Sequence, residues 1–265
     1  MPPGMKQTID AARRYRRHTL ALWCAILAPL AWLPGGFSRF VFAKLLVLAV
    51  AAVLAATVAR PDRLPTRLWL WVAAGGLIFV LAAIAGGTPV ASLLGRWPRY
   101  EGLPVLATYA AAAWLGAALA GPTSRRLRDL RNALATLGVV LAVAAALELM
   151  GWSPLGPSSL DRTGSLLGNA TDQGMVGLMV AATLAPSVGK RRPWWTAGAL
   201  AGVVVVILSG SRASLLALLV VGLALALLQR RALARTLLPA LGAVTLLALT
   251  VPAMRDRLAS LQTVE

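Results

Sequence analysis

The residues best suited to chemistry form a polar break, Ser209-Gly210-Ser211-Arg212, in an apolar run from Thr196 to Leu228. That run is about 33 residues, or roughly 50 Å as a helix, which is too long to cross a hydrocarbon core about 30 Å thick only once. The sequence therefore predicts two helices that meet at a polar turn. A guanidinium near membrane depth is normally retained only where it faces water, a partner or an anion. Arg212 is therefore the first candidate site residue, and the small Ser209, Ser211 and Ser214 leave room beside it for a ligand.

Two other polar segments also contain arginine. One runs from Asp161 to Asn169 and includes Arg162, and the other, earlier in the chain, holds Arg99 close to Glu101. The planar fork of arginine offers several donors to phosphate oxygens and stays charged at physiological pH. Arginines from several such segments at one mouth of a helical bundle would hold a diphosphate. For Arg162 and Arg99, a loop ion pair with Asp161 or Glu101 is the alternative.

Three other residues have titratable or reactive side chains. Glu148 lies in an apolar stretch and could handle a proton, reach out to water, or pair with an arginine. Cys24 is the only cysteine, which excludes an intrachain disulfide and a thiolate metal cluster. His18, the only histidine, lies in the basic N-terminal segment and is expected to be solvated. We predict no metal and no cofactor.

The elements that must position these residues are apolar helices. Of the residues, 58% are hydrophobic and the mean hydropathy is +0.75, far above soluble domains. Apolar windows recur between short basic connections, which predicts an all-α, polytopic transmembrane bundle with about nine spans. The predicted spans are 19–35, 40–59, 68–85, 104–120, 132–150, 173–188, 196–209, 213–228 and 237–253.

The net charge of +17 would suggest nucleic acid in a soluble protein, but here the basic residues lie in alternate connections. This pattern is typical of membrane topology, predicts a cytoplasmic N-terminus, and argues against a nucleic-acid partner. The first apolar segment has no convincing small-residue cleavage site, so we expect a retained helix rather than a signal peptide. The inward basic residues are Lys6, Arg13, Arg14, Arg16, Arg17, Arg60, Arg63, Arg67, Arg125, Arg126, Arg128, Arg131, Lys190, Arg191, Arg192, Arg230, Arg231 and Arg235.

Three segments together resemble the O-antigen ligase and polymerase superfamily of bacterial membrane glycosyltransferases. The stretch from Leu208 to Ser214 is similar to that family's small-residue-then-arginine signature, and Arg162 to Asn169 is similar to its Arg-x-Gly…Gly-Asn element. The segment from Leu94 to Leu103 is similar to an earlier outward loop of the family. The resemblance covers residues from about 90 to the end of the sequence.

The resemblance implies a multi-pass protein of the bacterial cytoplasmic membrane with a GT-C-like architecture. Its activity would be metal-independent transfer of a glycan from a polyprenyl (undecaprenyl) diphosphate carrier to an acceptor hydroxyl at the outer face. The acceptor, a glycolipid, a polysaccharide or a protein, stays open. Arg212 takes the catalytic, diphosphate-binding role, and the other residues expected to contact substrate are Arg162, Arg99, Ser209, Ser211 and Asn169.

Charge, hydropathy and the resemblance together predict three parts of the chain. Residues 1–18 form a cytoplasmic basic segment, 19–253 the bundle with the ligase-related core at about 90–253, and 254–265 the start of an outward loop. In the family, that loop carries a histidine proposed as general base, which this sequence does not contain. We therefore expect a front portion or a short relative that is inactive alone. The alternatives are a transporter or flippase for lipid-linked glycans and a noncatalytic subunit that binds the carrier lipid.

Overall fold

The computed structural model describes residues 3–33, 41–58, 66–87, 90, 102–119, 123–152, 163–164, 166–188 and 192–228. All regular structure in these ranges is helical, which confirms the predicted all-α class. The α-helices are α1 (Pro3–Leu27), α2 (Val41–Ala56), α3 (Thr66–Ala85), α4 (Leu103–Leu119), α5 (Ser124–Leu149), α6 (Ala170–Leu184), α7 (Pro193–Leu208) and α8 (Arg212–Leu228).

Each predicted span from 19–35 to 213–228 overlaps one of these helices, and the span at 237–253 lies outside the described residues. Within the described ranges, one helix, α5, is long and apolar enough to cross a membrane, with a mean hydropathy of 1.9 in its best window. Five shorter apolar stretches of 10–17 residues lie in α2, α3, α4, α7 and α8. The nine-span membrane arrangement therefore stays a prediction.

The chain divides into two units, Met1–Ala133 and Leu134–Glu265, and the division falls within α5. In the first unit, α1, α2 and α4 pack through small and medium apolar side chains. A cluster of alanine and leucine residues on these three helices forms its core, namely Ala21, Leu22, Ala51, Ala55, Leu115 and Leu119. His18, which we expected to be solvated, is instead buried at 5% exposure, with its Nε2 lying 3.1 Å from the Leu119 carbonyl oxygen.

The second unit packs through glycines. A Cβ at Gly198 of α7 would lie 2.5 Å from the Cα of Ala135 in α5, and a Cβ at Gly202 would lie 2.7 Å from the carbonyl oxygen of Gly177 in α6. Both distances are far inside van der Waals contact, so only glycine lets these backbones approach so closely. A third glycine, Gly138 of α5, would contact Val180 of α6 at 2.8 Å if it carried a Cβ.

These contacts also fix the direction of the helices. Gly174, near the start of α6, lies against Ser209 at the end of α7 and against Ser214 near the start of α8. Further along α6, Gly177 meets Gly202 in the middle of α7, so α6 and α7 run antiparallel. The end of α7 and the starts of α6 and α8 therefore lie at one end of the second unit.

Candidate functional site

The candidate site lies at that polar end, and it begins with the turn between α7 and α8. A helix leaves its last carbonyl groups without intrahelical partners, and here the turn supplies them. The Ser209 hydroxyl donates to the carbonyl oxygen of Val206 at 2.8 Å, and the Gly210 N–H donates to that of Ile207 at 3.1 Å. Gly210 has a φ of +60°, a left-handed conformation that favours glycine. Two of the last carbonyl groups of α7 thus accept hydrogen bonds from the two residues that follow the helix.

The last carbonyl of α7 takes its partner from a distant part of the chain. The Thr163 hydroxyl donates to the Leu208 carbonyl oxygen at 2.9 Å, across 45 residues, and accepts from Gln173 Nε2 at 3.1 Å. Thr163 is 1% exposed and Gln173 is 2% exposed. This chain of buried hydrogen bonds ties the segment that directly follows Arg162 to both α7 and α6.

Gly164, the residue after Thr163, contacts the end of α5 and the start of α6. The Gly164 N–H donates to Oε2 of Glu148 at 2.9 Å. A Cβ at Gly164 would lie 2.6 Å from the backbone nitrogen of Ala170, the first residue of α6. Glu148 thus accepts a backbone hydrogen bond, a role that was not among those considered from the sequence.

The serines beside Arg212 are buried and bonded to one another. Ser211 caps α8, because its Oγ accepts the Ser214 N–H at 3.3 Å and the Ser214 hydroxyl at 3.0 Å. The Ser211 N–H in turn donates to Ser209 Oγ at 3.2 Å. The space that the sequence suggested for a ligand is partly filled by these contacts and by the backbone of Gly174. The binding role predicted for Ser209 and Ser211 stays a prediction.

Arg212 is the first residue of α8, and its side chain is exposed. The first turn of α8 contains no acidic residue. The positive end of a helix dipole disfavours a cation by about 0.3–1 kcal/mol and favours an anion. A guanidinium and the backbone N–H groups of a helix start together provide a place where an anion is favoured.

Asn169, the remaining predicted site residue in the described ranges, is exposed and caps α6, with its Oδ1 accepting the Thr171 N–H at 3.0 Å. Arg162 and Arg99 lie outside the described residues, as do Asp161 and Glu101. The structure thus brings Arg212, Ser209, Ser211 and Asn169 to one end of the second unit. Their roles toward a ligand stay predictions.

Sequence reasoning missed Thr163 and Gln173 as residues that build this end. A signal was present, since Gln173 is a polar residue at the start of an apolar helix, where burial without a hydrogen-bond partner would be unfavourable. Within the described residues, no group of three or more His, Cys, Asp or Glu side chains could hold a metal ion. Independence from metals stays a prediction.

Fold and site together define a class of protein: an all-α chain whose second unit collects polar side chains at one end. Beyond that class, no family model, no curated protein and no solved structure matches the chain.

Proposed function

We propose that this chain spans the bacterial cytoplasmic membrane and belongs to a glycosyltransferase of the O-antigen ligase and polymerase type. It would transfer a glycan from a polyprenyl diphosphate to an acceptor hydroxyl at the outer face. The observation that carries the proposal is the position of Arg212. It is exposed at the start of α8, next to the buried, hydrogen-bonded Ser209, Ser211 and Ser214.

Membrane placement is supported by the large apolar side chains on the helix surfaces. In α3, Trp71 is 76% exposed and Ile78 is 67% exposed, and in α2 Leu46 and Val53 are each 67% exposed. Soluble proteins rarely expose contiguous apolar surface of this kind, whereas lipid tails would cover it. Within the described residues, α5 is also both long and apolar enough to cross a bilayer.

The position of Arg212 suits a diphosphate for two separate reasons. The guanidinium can donate two parallel hydrogen bonds to phosphate oxygens, and the start of α8 adds backbone donors and the positive end of the helix dipole. The buried network below Arg212 holds this helix start in place. A rigid support of this kind is what a binding group needs to act at a fixed position.

The chemistry follows from the substrate. The bond between the anomeric carbon and the diphosphate oxygen breaks while a bond to the acceptor oxygen forms, and the proton of the acceptor hydroxyl passes to water or to an oxygen of the leaving diphosphate. Negative charge grows on the leaving diphosphate, so a fixed guanidinium stabilises the transition state more than the ground state. Holding the acceptor hydroxyl in line with the anomeric carbon lowers the barrier further.

The first experiment measures binding of a polyprenyl diphosphate to the purified chain in lipid nanodiscs. We expect Arg212→Lys to weaken binding about tenfold or more, because a point charge cannot reproduce the bidentate fork. The matched control is Arg192→Lys, since Arg192 is also an exposed arginine at the start of a helix. Equal effects of the two substitutions would contradict the assignment of Arg212.

A transfer assay with a glycosylated carrier then separates catalysis from binding. Transfer that depends on Arg212 and persists in the presence of a chelator would support a glycosyltransferase that works without a metal ion. Transfer that chelator abolishes and Mg²⁺ restores would overturn metal independence. Binding that depends on Arg212 without transfer to any acceptor would instead favour the noncatalytic carrier-binding subunit.

Topology is tested by labelling introduced cysteines in intact cells with a membrane-impermeant thiol reagent, in a Cys24→Ala background and with any outer envelope permeabilised. Thr171 lies in the first turn of α6 at the polar end, and Thr123 immediately precedes α5; both are exposed. We expect Thr171→Cys to react in intact cells and Thr123→Cys to react only after lysis. The reverse pattern would contradict the proposed orientation.

A further inference from the structure

Exposed arginines lie on α1 and on the part of α5 that belongs to the first unit, in each helix before its apolar part. On α1 these are Arg13, Arg14, Arg16 and Arg17, and on α5 they are Arg125 and Arg128. Within the described part of the chain, these six guanidinium groups form no ion pair with a carboxylate. No carboxylate in the described ranges neutralises their positive charge by direct contact.

Hydrogen bonds fasten the two basic segments together. The Tyr15 hydroxyl of α1 donates to Oδ2 of Asp129 in α5, and the Thr19 hydroxyl donates to the same oxygen at 3.4 Å. The guanidinium carbon of Arg125 lies 3.9 Å from the centroid of the Tyr15 ring, in cation–π geometry. The carboxylate of Asp129 is thus engaged by hydroxyl groups of α1 and pairs with none of the six arginines.

These contacts lie at the level where both helices change from basic to apolar. α1 is apolar from Leu20 to Leu27, and α5 is apolar from Ala133 to Leu147 except for Thr136. Because the contacts join Tyr15 and Thr19 to Asp129, the two changes lie side by side. The apolar part of α1 then packs into the core, where Leu22 is 4% exposed. One plane can therefore separate the basic parts of both helices from their apolar parts, as the headgroup region of a bilayer does.

We propose that these six arginines form one binding surface for the phosphate groups of anionic phospholipids, and that the Tyr15–Asp129 hydrogen bond holds its two halves together. The proposal rests on the membrane placement in the proposed function and is independent of glycan transfer. The partner follows from the chemistry: a planar cation at the level of the headgroups binds phosphate, and several cations on two helices favour a surface of such groups over one soluble anion.

The test uses the whole chain in phosphatidylcholine nanodiscs titrated with phosphatidylglycerol, with bound lipid counted by native mass spectrometry. An arginine near an anionic surface contributes about fivefold to affinity, so replacing both Arg16 and Arg17 with glutamine is expected to weaken binding by more than about tenfold. Unchanged binding in that variant would overturn the surface.

The role of the hydrogen bond is tested by Tyr15→Phe, which leaves every charge in place. The matched control is Tyr109→Phe, since Tyr109 is exposed on α4. We expect Tyr15→Phe to weaken phosphatidylglycerol binding about fivefold and Tyr109→Phe to leave it unchanged, because loss of a hydrogen bond to a charged group lets the two halves separate. Equal binding by the two variants would overturn the joined surface.

Asp129→Leu distinguishes a joined surface from scattered charges by the sign of its effect. It removes a negative charge, so independent arginines would bind anionic lipid more tightly; a joined surface binds it less tightly because its fastening is lost. If Asp129→Leu does not fold, Tyr15→Phe decides the question, since its charge is unchanged.

Competition with soluble inorganic phosphate tests whether the arginines bind lipid headgroups or free phosphate. We expect inorganic phosphate to displace phosphatidylglycerol no better than sodium chloride does at equal ionic strength. Specific competition by phosphate would overturn the assignment to a lipid surface. These lipid-binding measurements contain no glycan carrier. If they fail while diphosphate binding still depends on Arg212, only the arginine surface is overturned and the proposed function stands.

Discussion

The starts of α6 and α8 lie side by side at the polar end of the second unit, yet they carry opposite charges. α6 is capped by Asn169 and has Asp172 in its first turn, an arrangement that stabilises a helix start. α8 is capped by Ser211 and begins with Arg212, with no acidic residue in its first turn. Both starts are capped, but only the first follows the rule that a helix start favours negative charge. A break of such a rule is expected where a residue is kept for function.

The starts of α6 and α8 approach each other closely at Gly174. A Cβ at Gly174 would lie 2.6 Å from Ser209 Oγ and 2.7 Å from Ser214 Oγ. We expect Gly174→Ala to force α6 away from α8 and to lower the free energy of unfolding by about 1–3 kcal/mol, measured by thermal or denaturant unfolding in detergent. We expect no other single substitution to lower the free energy of unfolding by more.

The control for Gly174→Ala is Gly116→Ala on α4, where an added Cβ would meet nothing within 4 Å. That change is expected to stabilise by up to about 1 kcal/mol, because alanine has the higher helix propensity. Equal destabilisation by both substitutions would contradict the close packing of the two helix starts.

The buried link from Thr163 to α7 is tested by Thr163→Val. The substitution leaves the Leu208 carbonyl and the Gln173 amide without the partner they share, and we expect a loss of about 1–3 kcal/mol in the free energy of unfolding. Thr183→Val is the matched control, since the Thr183 hydroxyl is exposed and donates within its own helix. Its effect should stay within about 0.5 kcal/mol. If Thr163→Val leaves the free energy of unfolding unchanged, the proposed contribution of this link to stability is wrong.

The caps of α6 and α8 should contribute alike to stability and differently to function. Ser211→Ala and Asn169→Ala are each expected to lower the free energy of unfolding by about 1 kcal/mol. Only Ser211→Ala, which loosens the turn that bears Arg212, should also weaken binding of a polyprenyl diphosphate. Equal loss of binding in both variants would contradict the distinction between the two starts.

The smallest predicted effect concerns Asp172. Asp172→Asn removes a favourable interaction with the dipole of α6, so we expect a loss of about 0.3–1 kcal/mol in the free energy of unfolding. Because salt screens this interaction, the loss should shrink in unfolding measurements at high ionic strength. A loss that is independent of salt would indicate a different cause.

The apolar windows of the sequence predicted where the helices lie better than where they begin. The predicted spans 19–35 and 132–150 belong to α1 and α5, which begin earlier, at Pro3 and Ser124. Hydropathy detects the apolar part of a helix, whereas alanine and arginine in the basic extensions also favour helix. These overlooked extensions carry the arginines of the lipid surface proposed above.

The site was predictable only where its residues are close together in sequence. The turn at Arg212 is visible as a polar break in an apolar run. The hydrogen bond from Thr163 to the Leu208 carbonyl joins residues 45 apart and ends on a backbone atom, so no pattern of side chains in the sequence predicts it. For the same reason, Ser209 and Ser211 suggested an open pocket, whereas their hydroxyls cap the ends of two helices.

The most direct test of the central claim is a distance measurement by solid-state NMR between phosphorus in a bound polyprenyl diphosphate and isotope-labelled arginine guanidinium nitrogens of the chain in lipid. We predict a phosphorus–nitrogen coupling at hydrogen-bonding distance that is lost in Arg212→Lys and kept in Arg192→Lys. A coupling that survives Arg212→Lys unchanged would contradict the assignment of the diphosphate to the start of α8.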